Sequence, residues 1–142
     1  QVVAQSPAGG YYQAPVLLRD VPVQHRLAQE EIFGPVLSAM AFEGEDEAVE
    51  LANATAFGLV AGIWTRDFPK AWRVARALRT GTVWINTYKQ FSASTPFGGE
   101  KDAGLGREKG REGIRAYMAQ KSLYLDLTGK PHFWARWPQG GA

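Results

Sequence analysis

Between Pro35 and Asn86 short apolar runs alternate with segments of helical periodicity, and this alternation constrains the fold most. Pro35 to Phe42 is nearly continuous and apolar, as a buried strand requires. Glu45-Asp46-Glu47 then places negative charge at a helix start, where the macrodipole favours it, and Ala48, Val49, Leu51 and Ala52 carry its apolar face up to Phe57-Gly58. Leu59 to Thr65 is the next strand. Asp67 can cap a second helix with Pro69 in its first turn, where a missing N–H is harmless. Phe68, Ala71, Trp72, Ala75 and Leu78 recur there at helical spacing, and Thr82 to Asn86 is a third strand. A β-α-β-α-β order predicts an α/β fold with parallel strands and right-handed crossovers. Ligands in such sheets gather at the carboxyl ends of strands. The long loop from Thr87 to Gly106 leaves such an end, and loops of that length are commonly functional.

The flanks read less regularly. Residues 1 to 10 form a loop. Tyr11 to Leu18 is a short strand kept to an edge or a start by Pro15, and Arg19 to Ala28 is a polar connection. Arg107 to Gln120 is a helix weakened by Gly110 and Gly113. Lys121 to Leu127 alternates as a strand does, and an aromatic tail follows it.

Composition excludes several classes. The chain has 142 residues, 45% of them apolar and 12% aromatic, enough for one globular unit. A net charge of +2, from 16 basic and 14 acidic residues, does not call for a nucleic-acid partner. The basic stripe of Arg66, Lys70, Arg73, Arg76 and Arg79 is read as a solvated helix face. No apolar run approaches the roughly 20 residues that cross a bilayer, so no membrane partner is expected. Gln1-Val2-Val3-Ala4-Gln5 lacks the pattern of a signal peptide. There is no initiator Met, and the chain reads as cut from something longer. No cysteine is present, which excludes disulfides, Cys-based zinc sites and thiol catalysis within the chain. His25 and His132 stand far apart without a metal-spaced cluster. Ser92, Ser94 and Thr95 have no nucleophile elbow around them.

Two segments carry candidate chemistry. In Glu30-Glu31-Ile32-Phe33-Gly34-Pro35-Val36 a carboxylate and an aromatic ring stand two residues apart before a Gly-Pro break. An ionised carboxylate accepts hydrogen bonds only and can take two ribose hydroxyls, each worth roughly 1.5–3 kcal/mol. From the residues alone, an exposed Glu and a core Phe are the commoner meaning. The second segment is Pro96-Phe97-Gly98-Gly99-Glu100-Lys101-Asp102-Ala103-Gly104-Leu105-Gly106-Arg107-Glu108. Its glycines permit close backbone approach, but its spacing fits neither the dinucleotide fingerprint nor the P-loop. Taken alone it is a glycine-rich connector.

Together these segments resemble the NAD(P)-dependent aldehyde dehydrogenases. The first is similar to that family's Glu-x-Phe-Gly-Pro signature, and the second to its Pro-Phe-Gly-Gly-x-Lys-x-Ser-Gly-x-Gly-Arg-Glu segment. Gly81-Thr82-Val83-Trp84-Ile85-Asn86 resembles the strand just ahead of that segment. The motifs occur in the family's order and spacing from Tyr11 to about Leu127. Ala103 departs from the pattern, since Ser is usual there.

The resemblance implies a parallel-sheet βαβαβ portion of a three-layer αβα catalytic domain. Residues 1–120 would be its C-terminal part, 121–127 an oligomerisation strand and 128–142 a tail without an assigned role. It implies NAD or NADP as cofactor, with Glu31 on the nicotinamide ribose and Phe33 beside the nicotinamide. Phe91 and Phe97 would line the aldehyde tunnel, and Glu108 would serve a charge or proton relay. Backbone carbonyls near Lys101 and Gly104 correspond to a monovalent-cation site of some relatives. The implied reaction oxidises an aldehyde to a carboxylic acid through a cysteine thiohemiacetal, with nucleophile and general base outside this chain. The chain alone is therefore expected to be inactive. The intact enzyme would be a cytoplasmic homodimer or homotetramer. The rival reading is a non-catalytic interaction or oligomerisation module derived from such an enzyme.

Overall fold

The computed structural model describes residues 9–130 and 132. It contains three two-stranded sheets rather than one continuous sheet. The first joins β1 (Val16–Leu18) to β2 (Val36–Ser38) in parallel, Val16 opposite Val36. The ladder starts just after Pro15, and Tyr11 and Tyr12 are exposed, so the strand expected over 11–18 shortens to three residues. The crossover holds a short helix, α1 (Arg26–Gln29), where a polar connection was expected. The His25 imidazole Nδ1 accepts from the Leu27 N–H at 3.2 Å and caps α1, a local role for that histidine. The Ser38 hydroxyl donates to the Leu27 carbonyl at 2.8 Å and ties the helix to β2.

The second parallel pair holds the centre. Helix α2 (Glu45–Asn53) starts with Glu45, Asp46 and Glu47 in its first turn, as the dipole argument requires. It ends four residues before Phe57, because β3 (Phe57–Gly58) leaves to pair antiparallel with β6 (Glu100–Lys101) inside the long loop. Strand β4 (Val60–Ile63), helix α3 (Phe68–Ala77) and β5 (Thr82–Ile85) form the expected parallel crossover unit, with Val60 opposite Thr82. Asp67 caps α3 by accepting from the Lys70 N–H at 2.9 Å. Strand β2 pairs with β1, while β4 pairs with β5.

Side-chain bonds join α2 to α3. Arg73 forms a bidentate pair with Glu45 at 2.9 and 2.8 Å. The Asn53 amide donates to the Ala77 carbonyl and accepts from the Arg79 N–H, at 2.9 and 2.8 Å. Ala71 is buried and Val74, Ala75 and Leu78 are half-buried, whereas Phe68 and Trp72 stack on each other outside, 6.2 Å apart. The apolar face of α3 is thus narrower than its sequence pattern.

Two expected elements differ. Helix α4 (Gly110–Arg115) is six residues long, not the span 107–120. Gly110 enters it at φ +57, and Glu108 is held in an extended bridge to Phe97. Lys121 to Leu127 forms no strand ladder among the described residues. Leu123, Leu125 and Leu127 are more than four-fifths exposed, and no strand among the described residues lies beside them. The aromatic tail residues Phe133, Trp134 and Trp137 lie outside the described residues.

Buried apolar side chains among the described residues are Ala14, Val21, Ala71 and Trp84. The accessible surface is 12351 Å², against about 7,200 Å² for a compact monomer of 15.6 kDa. No helix of the described residues is long and apolar enough to cross a membrane.

Candidate functional site

The cofactor candidates stand on the loop between α1 and β2. Glu30 and Glu31 are neighbours with different circumstances. Arg26 holds Glu30 in a bidentate pair at 2.8 and 2.7 Å, and this hydrogen bonding keeps the Glu30 carboxyl below its usual range. The Glu31 carboxylate is exposed and has no hydrogen bond or ion pair within the described residues. It is the carboxylate left able to accept from a ligand. Phe33 has φ +52 and its ring is 92% exposed. A bulky residue in that conformation is a genuine outlier, and Gly34-Pro35 turns the chain into β2 directly after it.

The carboxyl end of β5 builds the second cluster. Asn86 ends the strand at φ +54. Its side-chain oxygen accepts from the Thr65 N–H at 2.9 Å and its NH₂ donates to the Thr65 carbonyl at 2.8 Å. The amide thus adds one more rung beyond β4 and β5. The Trp84 indole N–H donates to the Gln90 carbonyl at 2.9 Å and folds the following loop back over the strand. Phe91 meets Trp84 edge-on at 5.5 Å and Phe97 edge-on at 5.2 Å. Tyr88 completes the group, 5.1 Å from Trp84. Edge-to-face geometry suits the quadrupoles of such rings. A groove of about 320 Å³ is lined by Trp84, Gln90, Phe91, Ser92, Thr95 and Phe97 among others. The structure therefore brings together Phe91 and Phe97, and adds Trp84 and Tyr88, which sequence reading left out of the site. The aromatic density around Asn86 was the signal available.

The glycine-rich segment is locked against the same unit. A Cβ on Gly81 would fall 1.7 Å from the Gly98 carbonyl oxygen, so two of the three motifs meet backbone to backbone. The Arg107 guanidinium donates to the Gly99 and Gly106 carbonyls at 2.7 and 2.9 Å. Phe97 and Glu108 exchange backbone hydrogen bonds at 2.8 and 2.7 Å. Glu108 thus lies next to the aromatic cluster through its backbone, while its side chain is exposed. Lys101 does something else: its ammonium donates to the Asn53 and Thr55 carbonyls at 3.0 and 2.9 Å, at the carboxyl end of α2. Gly104 has φ +138 in the following turn. At Ala103, where the motif usually has Ser, the backbone N–H donates to the Glu100 carbonyl at 3.2 Å and holds that turn. Among the described residues no group of three or more His, Asp or Glu side chains is arranged to hold a metal ion. No hydrogen bond or ring contact joins Glu31 or Phe33 to the aromatic cluster.

The described residues thus form an α/β unit with an unpaired carboxylate before one strand and an aromatic groove after another. Comparison with known proteins gives the family. The sequence model of the aldehyde dehydrogenase family matches residues 2–123, and this chain belongs to that family. It is 46% identical over 118 residues to betaine aldehyde dehydrogenase of Mesorhizobium japonicum, covering 83% of this chain and 24% of that one. It is 49% identical over 116 residues to geranial dehydrogenase of Castellaniella defragrans, covering 82% and 24%. The crystal structure of an NAD-dependent aldehyde dehydrogenase from Sinorhizobium meliloti superposes with a TM-score of 0.81 at 42% identity, covering 92% of this chain and 26% of that one. The chain thus spans about a quarter of the length of these relatives.

Proposed function

We propose that this chain supplies one wall of the cofactor and aldehyde sites of an enzyme that oxidises an aldehyde to a carboxylic acid with NAD or NADP. The observation that carries the reading is the contrast at Glu30-Glu31: one carboxylate is neutralised by Arg26, and the next is left exposed beside an exposed ring. Two acceptor oxygens without a partner fit a ribose diol, and a bare aromatic face fits a flat heterocycle. The nicotinamide, when bound, accepts the hydride. Glu31 would hold the ribose hydroxyls and so fix the ring's position. Phe33, set by its positive φ, would limit the ring's tilt. Phe91 and Phe97 would exclude water and confine the aldehyde's side chain. Glu108, one residue pair from Phe97, would move protons at the base of that wall. The chain has no cysteine, so the thiolate that attacks the carbonyl would come from residues outside it.

The test is Glu31→Gln in the intact enzyme. Loss of charge-assisted hydrogen bonds, each worth about 1.5–3 kcal/mol, should slow hydride transfer about tenfold or more. The isotope effect with a C1-deuterated aldehyde should rise as hydride transfer becomes limiting. An unchanged rate and isotope effect, with unaltered affinity for NAD(P), would show that Glu31 is a surface carboxylate.

A further inference from the structure

The aromatic pair assigned to the aldehyde wall carries a cation on its faces. Lys109 Nζ lies 4.3 Å from the Phe91 ring centroid and 5.6 Å from that of Phe97. Its main chain is held at the start of α4. Lys109 has φ +60, and its carbonyl accepts from the Gly113 N–H at 2.8 Å. The next residue, Gly110, is buried and donates to the Ala93 carbonyl at 2.9 Å. A Cβ on Gly110 would come 3.0 Å from the Ser94 carbonyl oxygen and 3.1 Å from Pro96, and φ there is +57. This glycine hooks the start of α4 onto the loop that bears Phe91, and so places the Lys109 main chain within side-chain reach of the rings. The Lys109 side chain has no carboxylate partner among the described residues.

We propose that Lys109 is a specificity-determining residue that turns the aldehyde wall against cationic substrates. The inference rests on the reading of Phe91 and Phe97 as that wall. A quaternary ammonium group seeks aromatic faces. Here those faces already hold an ammonium, and a second positive charge a few ångströms away is repelled. The same ammonium favours aldehydes that carry a carboxylate or another anionic group at the far end. Aldehyde dehydrogenases that act on betaine aldehyde, a trimethylammonio aldehyde, stand among the relatives of this chain, and similarity alone would suggest that substrate. Lys109 argues for the opposite charge preference.

The experiment uses the intact dehydrogenase and two aldehydes of equal shape, betaine aldehyde and its neutral carbon isostere 3,3-dimethylbutanal. The readout is the ratio of their kcat/KM values within each variant, so that differences in folded or active fraction cancel. The native enzyme should favour the neutral aldehyde. Lys109→Met, of similar length and without charge, should shift the ratio about tenfold toward the cationic one. Lys109→Arg should keep the native preference. An unshifted ratio in Lys109→Met overturns the proposal even if the wall reading stands. The wall reading is checked separately by Phe91→Leu and Phe97→Leu. If neither changes kcat/KM for either aldehyde, the wall is elsewhere and the role of Lys109 falls with it.

Discussion

Asn86 offers a prediction whose size follows from geometry. Its amide makes two hydrogen bonds to the Thr65 backbone, at 2.9 and 2.8 Å, from a backbone held at φ +54. A net contribution of about 0.5–1.5 kcal/mol per bond gives about 1–3 kcal/mol for the pair. Asn86 is exposed, which favours the low end of that range, about 1 kcal/mol. Alanine would also lose the local bonding that lets Asn sit in the left-handed region, at a cost of about 1–2 kcal/mol. Glycine would lose the bonds but adopt the backbone freely. Asn86→Ala should therefore loosen the ends of β4 and β5 by about 2–3 kcal/mol, and Asn86→Gly by about 1 kcal/mol.

Amide hydrogen exchange resolved over residues 60–88 reads this locally, where opening precedes exchange. Since 1.4 kcal/mol is a factor of ten, protection at Thr65 and at residue 86, whose N–H donates to the Ile63 carbonyl, should fall about thirtyfold or more in the alanine variant and about fivefold in the glycine one. Protection over Val16–Leu18 should stay as it is, because no bond from Asn86 reaches β1. Unchanged exchange in both variants would refute the idea that this side chain adds a rung. Equal losses in both would refute the backbone contribution and leave only the bonds.

Two further outcomes can be checked. Glu45 is held below its usual pKa first by hydrogen bonding to Arg73. A depressed carboxylate contributes above its unfolded value, near 4.5, and that contribution is lost as pH falls through the lower folded value. Exchange protection of α2 and α3 should exceed that of Glu45→Gln at pH 6–7 and converge with it on acidification; a gap that persists below the folded pKa would refute the pairing. The purified 142-residue chain should give no steady aldehyde-dependent NAD(P)H formation, since it holds no thiol; sustained turnover free of contaminating enzyme would overturn the division of labour proposed above.

What the sequence disclosed was governed by range. The Asp67 cap, the acidic first turn of α2 and the crossover from β4 to β5 depend on neighbours a few residues away, and all three are present. The partner of β2 is β1 across α1, which no periodicity reports. The weakness of Gly110 and Gly113 is visible in the sequence, but not that Gly110 hooks onto Ala93 and that Glu108 bridges Phe97 outside the helix. The alternation of Leu123, Leu125 and Leu127 is a strand pattern, yet a strand also needs a ladder, and the described residues supply none beside it. At the site, Phe91 and Phe97 follow from motifs and the aromatic density around Asn86 points to Trp84 and Tyr88, whereas the place of Lys109 over the rings is visible only through distances.

The two candidate half-sites are held by different pieces of the fold, and this bears on how they should respond to change. Glu31 and Phe33 depend on β1, α1 and β2, while the aromatic groove depends on β4, α3 and β5. Neither pair of strands extends beyond two, and a two-stranded sheet is marginal without further packing. The apolar faces are correspondingly open: Leu37 in β2 is 64% exposed and Phe42 is 58% exposed. In the proposed enzyme a cofactor and an aldehyde would nevertheless have to meet at one reacting atom. Their alignment therefore depends on whatever covers those faces, and not on bonds between the halves. Loosening Asn86 should then alter the aldehyde's kinetic parameters before those of the cofactor, and changes at Glu31 should do the reverse. Parallel losses on both sides from either change would mean that the halves are coupled more tightly than any bond within the chain accounts for.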